Sequence, residues 1–281
     1  MLKFENMKYY SGRTNLAATI FVPVKCGNNC KFCNTNILYK DFEYNEEYLL
    51  NMLYAIDMCN NNNKINEFVI TGGEPIMNLD ILKIIIDRTE KPVYINTSLP
   101  IVENINDVID YINTEDKIKG VNISRHIGTV HNVKTVGLDY INKITKYVRI
   151  NCIVNESMLG DNLIEYINTF STPYRMINLR ADYRNVTTDT LKNRDNISKW
   201  LLDNYKFEYS NSCLVCNSEF YSDEVSTVVC YHRGLESSCV TTKNRYYVND
   251  VIIDMYGNIF KDWDMMYDDD FLKVLSNNEI L

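Results

Sequence analysis

The sequence lacks any apolar run long enough to cross a membrane. Its most apolar early stretch, LAATIFVPV (16–24), is interrupted by Pro23 and followed by Lys25, whereas a membrane-spanning helix needs roughly 18 or more apolar residues. The first ten residues, MLKFENMKYY, contain no apolar core and carry Glu5, so they do not resemble a secretory signal peptide. We therefore expect a cytoplasmic protein with no membrane partner.

The chain also lacks net positive charge and is poor in histidine. Its 29 Lys and Arg residues stand against 37 Asp and Glu residues, which gives a formal charge of −8. This charge repels phosphate backbones, so bulk binding to nucleic acids is disfavoured, although a local basic pocket for one small anion remains open. The three histidines are His126, His131 and His232, so histidine chemistry has few possible positions.

Cysteine, by contrast, is abundant, with nine residues in a chain of 281. In a reducing compartment this number indicates metal or cluster ligation before disulfide bonds. Three of the cysteines, Cys26, Cys30 and Cys33, fall within the eight residues CGNNCKFC. Two thiols would suffice for a disulfide or redox pair and four would close a tetrahedral zinc site. Three leave a metal or cluster with one open position, where chemistry occurs.

Strand-like runs alternate with helix-like runs along the first two thirds of the chain. Such alternation predicts right-handed βαβ units and a parallel sheet, with ligands bound at the carboxyl ends of the strands. The apolar strands predict burial on both faces. The alternation stops near residue 186, so we expect a core at 1–185 and a C-terminal extension at 186–281. The predicted strands are 17–24, 66–71, 93–98, 120–124, 148–154 and 174–180; helices are predicted after Asn45 and Asn78 and near 102–112, 136–145 and 160–169.

Two motifs follow the first two predicted strands. The spacing C-x3-C-x2-C, with Phe32 before its third cysteine, resembles the signature of the radical S-adenosylmethionine (SAM) superfamily. TGGEP (71–75), at the end of the next strand, is similar to that family's second motif. The resemblance covers about residues 15–185 and implies an α/β fold with a partial (β/α)6 TIM barrel, to which the cysteine-bearing extension is added.

The resemblance also implies a reaction. Cys26, Cys30 and Cys33 would ligate three irons of a [4Fe–4S] cluster, and the fourth iron would bind SAM. An electron from a donor such as flavodoxin or ferredoxin would cleave SAM, and the 5′-deoxyadenosyl radical would abstract hydrogen from a substrate. A zinc site completed by a distant ligand is the alternative use of these cysteines.

Residues of the GGEP motif are expected to bind SAM on the strength of the same resemblance. Gly72 and Gly73 would let the backbone approach the methionine end of SAM, and Pro75 completes the motif. The Glu74 carboxylate would accept a hydrogen bond from the SAM ammonium group.

Polar residues at later strand ends are further candidates for SAM contacts. Ser124 and Asn151 occupy places where the family often supplies them, and Arg125 is a candidate partner of the SAM carboxylate. VRINCIVNE (148–156) is similar to a strand of the GTP-cyclising enzyme of molybdopterin biosynthesis. The alternatives are helix capping for the polar residues and surface exposure for Arg125.

A second group of cysteines lies in the extension. The spacing of Cys213, Cys216 and Cys230 matches the auxiliary-cluster motif of the same GTP-cyclising enzyme, and Cys239 would be a fourth ligand. However, NSEFYSDEVSTVV replaces that enzyme's arginine-rich stretch, and the chain ends in LSNNEIL without a diglycine. Both departures count against GTP as the substrate. The alternatives are a second [4Fe–4S] cluster, structural zinc, and no metal.

Single residues outside these motifs give weaker predictions. His232 and Arg233 lie within the second cysteine group and are candidates to bind or protonate substrate, against simple exposure as the alternative. Cys59 and Cys152 fit core positions better than ligand positions. DMYGNIFKDW (254–263) predicts a hairpin that turns at Gly257. We expect its tryptophan, Trp263, to have a packing role and not a catalytic one.

We therefore expect a radical SAM enzyme whose substrate lies between two metal sites. Only about 14 residues precede the first strand, and this favours a nucleotide or other small polar substrate over a peptide. A peptide-modifying radical SAM enzyme is the nearest alternative, because similar extensions serve that chemistry. A non-catalytic iron–sulfur or zinc protein is the second alternative. The GGEP motif argues against it, because such a protein needs no SAM site. The substrate, the bond changed, the fate of SAM and the oligomeric state are not specified by the sequence.

Overall fold

The computed structural model describes the chain apart from residues 1–7, 12–15, 29, 31–32, 128–133, 173–174, 182–187, 213–215, 224–227, 236–238, 243–244 and 249. Phe32, His131 and Cys213 therefore lie outside the described residues. Within the described part of the chain, no helix is both long and apolar enough to cross a membrane.

All six predicted strands and their intervening helices are present. The strands are β2 (Leu16–Val22), β3 (Ile65–Gly72), β4 (Val93–Thr97), β5 (Ile118–Ser124), β6 (Tyr147–Val154) and β7 (Arg175–Ala181), after a short β1 (Lys8–Ser11). The helices are α1 (Asn34–Leu38), α2 (Glu46–Asn61), α3 (Leu79–Arg88), α4 (Ile105–Thr114), the single turn α5 (Leu138–Ile141) and α6 (Asp161–Phe170). Asn45 caps α2 and Asn78 caps α3, since each side chain accepts a backbone hydrogen bond, from Glu47 and Ile81.

The segment after residue 186 adds strands to both edges of the same sheet. It contains α7 (Thr188–Asn204), β8 (Lys206–Ser212), β9 (Cys216–Ser222), β10 (Val228–Leu235), β11 (Cys239–Thr242), β12 (Arg245–Val248), β13 (Asp250–Ile253), β14 (Ile259–Phe260) and α8 (Asp269–Ser276). The large sheet has 11 strands in the order β14-β13-β2-β3-β4-β5-β6-β7-β10-β9-β8 and is open. β2 to β7 are parallel neighbours, joined by β13 on one side and β10 on the other. A second sheet has the order β1-β12-β11.

The prediction of burial on both faces is confirmed for β2, whose seven residues are all buried, and is wrong for β4 to β7. On β4 to β7, fully buried residues alternate with half-buried ones, as in a sheet that is covered on one side. The buried residues pack with the apolar faces of the helices in one core. The half-buried residues are largely polar, and we call their side of the sheet the open face. Its members include Tyr94, Asn96, Asn122, Ser124, Arg149, Asn151, Met176 and Arg180.

Several packing predictions are confirmed. Cys59 and Cys152 are fully buried in the core. The hairpin formed by β13 and β14 turns at Gly257, whose φ of +85° is a conformation that glycine adopts without strain. Trp263 packs on Phe21, with ring centroids 5.7 Å apart, and donates a hydrogen bond to Asp250. The hairpin therefore braces the end of β2, from which the first cysteine motif extends.

Candidate functional site

The first cysteine motif forms the loop between β2 and α1. Cys26, Cys30 and Cys33 are all half-buried and none forms a disulfide. The Cys33 N–H donates to the Cys30 carbonyl at 3.0 Å, and α1 begins at the next residue. The Asn28 N–H donates to the Cys26 Sγ at 3.4 Å. A short loop on a strand end therefore presents three thiols with partial access to solvent.

The electrostatics of this loop disfavour free thiolates. Burial raises the pKa of the Cys26 thiol to about 11, against the lowering effect of the Asn28 N–H, and Glu74, Cys33 and Cys30 raise it further. Burial also raises the pKa of Cys30, and Cys33 adds to this rise. Mutual repulsion of this kind is relieved when a cationic centre binds the sulfurs.

The donor set fits a three-thiolate cluster, since three accessible thiols come from one loop and influence one another electrostatically. Over the described ranges, no three His, Cys, Asp or Glu side chains lie close enough together to hold a metal ion. Binding a cluster therefore requires the three sulfurs to converge, a movement within the loop and not within the sheet.

Both motifs line one cavity of about 470 Å³. Cys26 comes from the cysteine loop and Gly73 from GGEP, because β2 and β3 are parallel neighbours whose carboxyl ends meet. The remaining lining residues are Lys25, Gly27, Asn28, Thr35, Tyr39, Lys40, Asp41, Phe42 and Met255. The cavity thus has the place, and the mixed polar and apolar wall, of a small-molecule site.

The two glycines of GGEP are required by the cysteine loop itself. Gly72 has a φ of +100°, and a Cβ on it would lie 2.6 Å from the Phe21 Cα. A Cβ on Gly73 would lie 1.5 Å from the Val24 carbonyl oxygen and 3.1 Å from the Cys26 nitrogen. The close approach is therefore between this motif and the chain that leads into the cysteines.

Glu74 is buried and bonded at the start of the short 3-10 turn Pro75–Met77. Its Oε1 accepts from the Thr97 hydroxyl, and its Oε2 accepts from Ser98 N–H at 2.8 Å and Ser98 hydroxyl at 2.6 Å. Burial raises the pKa of Glu74, while these donors lower it. Its carboxylate joins the end of β3 to the end of β4.

Ser98 connects this carboxylate to two further candidates, and sequence reasoning assigned it no role. Its hydroxyl accepts from the Asn28 side chain at 3.4 Å, and its carbonyl accepts from the Arg125 guanidinium. The signal was available, because a Thr-Ser pair ends the strand next to the one that carries GGEP. Ser98 thus ties the cysteine loop, GGEP and the end of β5 together.

Arg125 is buried and its guanidinium is bound by backbone carbonyls. In addition to Ser98, it donates to the Ser124 carbonyl at 2.9 Å and the Val136 carbonyl at 3.0 Å. Burial lowers its pKa to about 10, against the raising effects of Tyr166 and Glu74. The alternative of surface exposure is therefore wrong, and the guanidinium stabilises the loop after β5.

Ser124 and Asn151 lie beside each other on the open face, since they are register partners on β5 and β6. The Asn151 Oδ1 accepts from the Asn178 side chain at 2.7 Å, and Asn122 donates to Asn96 at 2.7 Å. His126 accepts from the Ile153 N–H at 3.1 Å through Nδ1. The open face therefore carries two hydrogen-bonded pairs of amide side chains in neighbouring rows.

The described part of the second cysteine group is spread out. Cys230 lies in β10 opposite Phe220, whereas Cys216 begins β9 opposite Leu235, five residues further along β10. Five residues of strand span about 16 Å. Cys239 starts β11 in the other sheet. A centre ligated by both Cys216 and Cys230 needs a register of β9 against β10 different from the one observed.

The two candidates after Cys230 point to opposite sides of the sheet. His232 shares the open face with Cys230, and its Nδ1 lies 2.6 Å from the Ser218 hydroxyl. Arg233 forms ion pairs with Glu219, at 3.2 Å, and with Asp195 of α7. Arg233 thus fastens α7 to the sheet, away from the open face on which His232 lies.

Comparisons with known proteins agree with this architecture. Residues 14–116 match the family model described as a 4Fe-4S single cluster domain. No curated protein sequence matches the chain. SuiB of Streptococcus suis bound to S-adenosylmethionine aligns with a TM-score of 0.57 at 14% identity, over 92% of this chain and 65% of that one.

Two more solved structures share the fold. The protein anSMEcpe with bound AdoMet (SAM) aligns with a TM-score of 0.50 at 16% identity, over 67% of this chain and 58% of that one. SuiB bound to precursor peptide SuiA aligns with a TM-score of 0.51 at 16% identity, over 67% of this chain and 46% of that one. The chain thus spans less than two thirds of the length of each. Both proteins have been solved with S-adenosylmethionine bound, and at these identities the likeness shows that the chain has their fold.

Proposed function

We propose that this chain is a radical SAM enzyme. The observation that carries the proposal is the cavity lined by both Cys26 and Gly73, at the carboxyl ends of adjacent parallel strands. The fold is shared with proteins solved with SAM bound, and the matched family model describes a 4Fe-4S domain. The partial barrel that the resemblance implies stays a prediction, because the sheet is open.

In this proposal Cys26, Cys30 and Cys33 hold a [4Fe–4S] cluster and the neighbouring cavity receives SAM. When bound, the cluster supplies the electron that cleaves SAM and so provides the radical that removes hydrogen from substrate. The side chains of Phe42 and Met255 give the cavity an apolar part of its wall, and the Asn28 N–H is directed at the Cys26 sulfur. A donor such as flavodoxin or ferredoxin delivers the electron.

The residues proposed to contact SAM differ in how accessible their side chains are. Ser124 and Asn151 are half-buried on the open face and are positioned to donate or accept. Glu74 and Arg125 already have internal partners, so a direct bond to SAM requires each to exchange one of them. Their internal bonds support a positioning role, in which they hold the loops that form the cavity.

A second [4Fe–4S] cluster on the cysteines of the extension is a separate proposal, with zinc as the alternative. It is supported by spacing and opposed by the strand register that separates Cys216 from Cys230. If β9 keeps this register, Cys230 is a buried thiol on the open face and does not ligate the same metal centre as Cys216.

A peptide is the substrate class that we favour. SuiB, which shares the fold, has been solved with its precursor peptide SuiA. The open sheet also leaves a long polar face on which an extended segment could lie. A nucleotide or other small polar molecule is the second candidate, supported by the cavity of about 470 Å³.

The test is anaerobic reconstitution with iron and sulfide, followed by reduction in the presence of SAM. We expect iron to bind and 5′-deoxyadenosine to form, measured by chromatography with mass detection. Iron binding without 5′-deoxyadenosine would leave a non-catalytic iron–sulfur protein, and zinc in place of iron would leave a zinc protein. Either result rejects the proposed function.

A further inference from the structure

The open face carries two arginines that the proposed SAM chemistry does not use. Arg149 lies on β6 opposite Met176, and Arg180 lies on β7 opposite His232. Between these two rows lies a third, formed by Asn151, Asn178 and Cys230 on β6, β7 and β10. Rows on one face are about 6.6 Å apart, so an arginine side chain from either outer row reaches the central one.

Both guanidinium groups can reach this central row. Arg149 precedes Asn151 by two residues on β6 and Arg180 follows Asn178 by two residues on β7, so the two side chains flank the row on the same face. Two guanidinium groups that approach from opposite sides therefore act on the same point of the sheet.

Arg149 has no ionic partner in the part of the chain that the structure describes. Its Nε is buried and donates no hydrogen bond there, and its guanidinium lies 6.0 Å from the ring centroid of Tyr147. A buried Nε–H without an acceptor is unfavourable on a half-buried cation, and a bound anion supplies that acceptor.

Asn178, in the middle row, has an unused acceptor. The residue is 3% exposed and its Nδ2 donates to the Asn151 Oδ1 at 2.7 Å, but its own Oδ1 is buried with no partner among the described residues. A buried carbonyl of this kind calls for an N–H or O–H donor. The site therefore offers two cations and one acceptor side by side.

We propose that this region binds a substrate carboxylate between Arg149 and Arg180, with an adjacent substrate N–H donated to the Asn178 Oδ1. An acidic residue of a peptide supplies both groups, through its carboxylate and its backbone amide. The region lies four to five strands from the cysteine loop, or about 19–24 Å along the sheet, and is distinct from the cavity there. The inference rests on the proposed function only in taking the bound molecule as its substrate.

The test titrates the intact chain, with its metal content measured, with N-acetylglycine, acetate or inorganic phosphate. The readout is the set of arginine Nε–Hε resonances in ¹⁵N-correlated spectra. N-acetylglycine has a carboxylate next to an amide N–H, and we expect saturable shifts at a lower concentration than acetate, which lacks the N–H. Arg149→Gln should weaken binding of both by about tenfold, the loss typical of a charge-assisted bond.

Controls separate this site from general charge effects. Arg88→Gln removes an exposed arginine at the end of α3 that is paired with Asp57 of α2, and this variant should bind all three probes like the native chain. Asn178→Leu should abolish the advantage of N-acetylglycine over acetate, and Asn178→Asp should weaken both. The Arg149 variant keeps the test valid if substitution of Asn178 prevents folding.

Absence of saturable shifts, or equal losses in the Arg149 and Arg88 variants, overturns the proposal. Tighter binding of phosphate than of N-acetylglycine also overturns it and points to a phosphorylated small molecule. The titration requires no cleavage of SAM. A negative result from a chain that forms 5′-deoxyadenosine therefore rejects this inference alone, whereas a positive result from a chain that forms none rejects only the proposed function.

Discussion

Ser98 donates two hydrogen bonds to one oxygen of Glu74, from its backbone N–H at 2.8 Å and from its hydroxyl at 2.6 Å. The same hydroxyl accepts from Asn28 in the cysteine loop. The carboxylate of the second motif is therefore held by the end of β4, and the loop of the first motif is held through the same serine.

Ser98→Ala should destabilise the protein by about 1–3 kcal/mol, because it removes one donor from a buried carboxylate and the acceptor of the Asn28 amide. The measurement is the free energy of unfolding in urea. Ser276→Ala, which removes the hydroxyl that donates to the Lys273 carbonyl at the exposed end of α8, should change it by less than about 0.5 kcal/mol. Equal effects of the two substitutions would contradict the role of Ser98.

Glu74→Gln should weaken SAM binding by about 10–150-fold, the value of a charge-assisted hydrogen bond of about 1.5–3 kcal/mol. Iron content should be unchanged, because no iron ligand is altered. Calorimetric titration of the reconstituted protein with SAM measures the effect, and Glu90→Gln, at an exposed position, is the control. An unchanged dissociation constant would show that Glu74 serves only the internal network with Thr97 and Ser98.

Replacement of Cys26, Cys30 and Cys33 together by alanine should remove about four irons per chain and abolish cleavage of SAM. The fold should survive, since these half-buried thiols lie on a loop outside the core. Far-ultraviolet circular dichroism and iron analysis measure the two effects. Cys59→Ala, a buried core position, should retain its iron. Reductive SAM cleavage by the triple variant would falsify the proposed site.

The proposed second cluster predicts about eight irons per chain after anaerobic reconstitution, and about four after Cys213→Ala with Cys216→Ala. Uncoupled cleavage of SAM should persist in this double variant, and turnover of substrate should be lost. If the native protein contains four irons and tightly bound zinc, the second site is a zinc site and not a cluster. Four irons without zinc would fit the observed separation of Cys216 from Cys230.

Stability should fall at alkaline pH through Cys152. Burial raises the pKa of its thiol to about 11 from an ordinary value of 9.0. A raised pKa means that the unfolded chain loses this proton first, so the stabilisation is complete below pH 9 and is lost as pH rises through 11. Cys152→Ala should flatten the fall in unfolding free energy between these pH values by up to about 2–3 kcal/mol. An unchanged slope would refute the contribution of this thiol.

Much of the fold could be predicted because it depends on local patterns. The six parallel strands, the caps at Asn45 and Asn78 and the turn at Gly257 each follow from residues within a few positions of one another. The two motifs were expected together for the same reason, since each directly follows a strand of the same parallel sheet. The error about burial on both faces came from reading strands such as VYINT and VRINCIV as continuously apolar, although Asn and Arg alternate with Val and Ile in them.

The chemistry of the cysteine loop therefore depends on residues that are close together in the sequence, so the sequence alone indicates it. The bonds of Glu74 and Arg125 to Ser98 are not indicated in this way, because Ser98 follows the end of another strand and is more than 20 residues from either of them. The same holds for the placement of Arg149, Asn178 and Arg180 in successive rows of one face, which depends on the register of β6, β7 and β10. Which strand ends meet, and which side chains share a face, is decided by hydrogen bonding across the sheet, and only the tertiary structure specifies it.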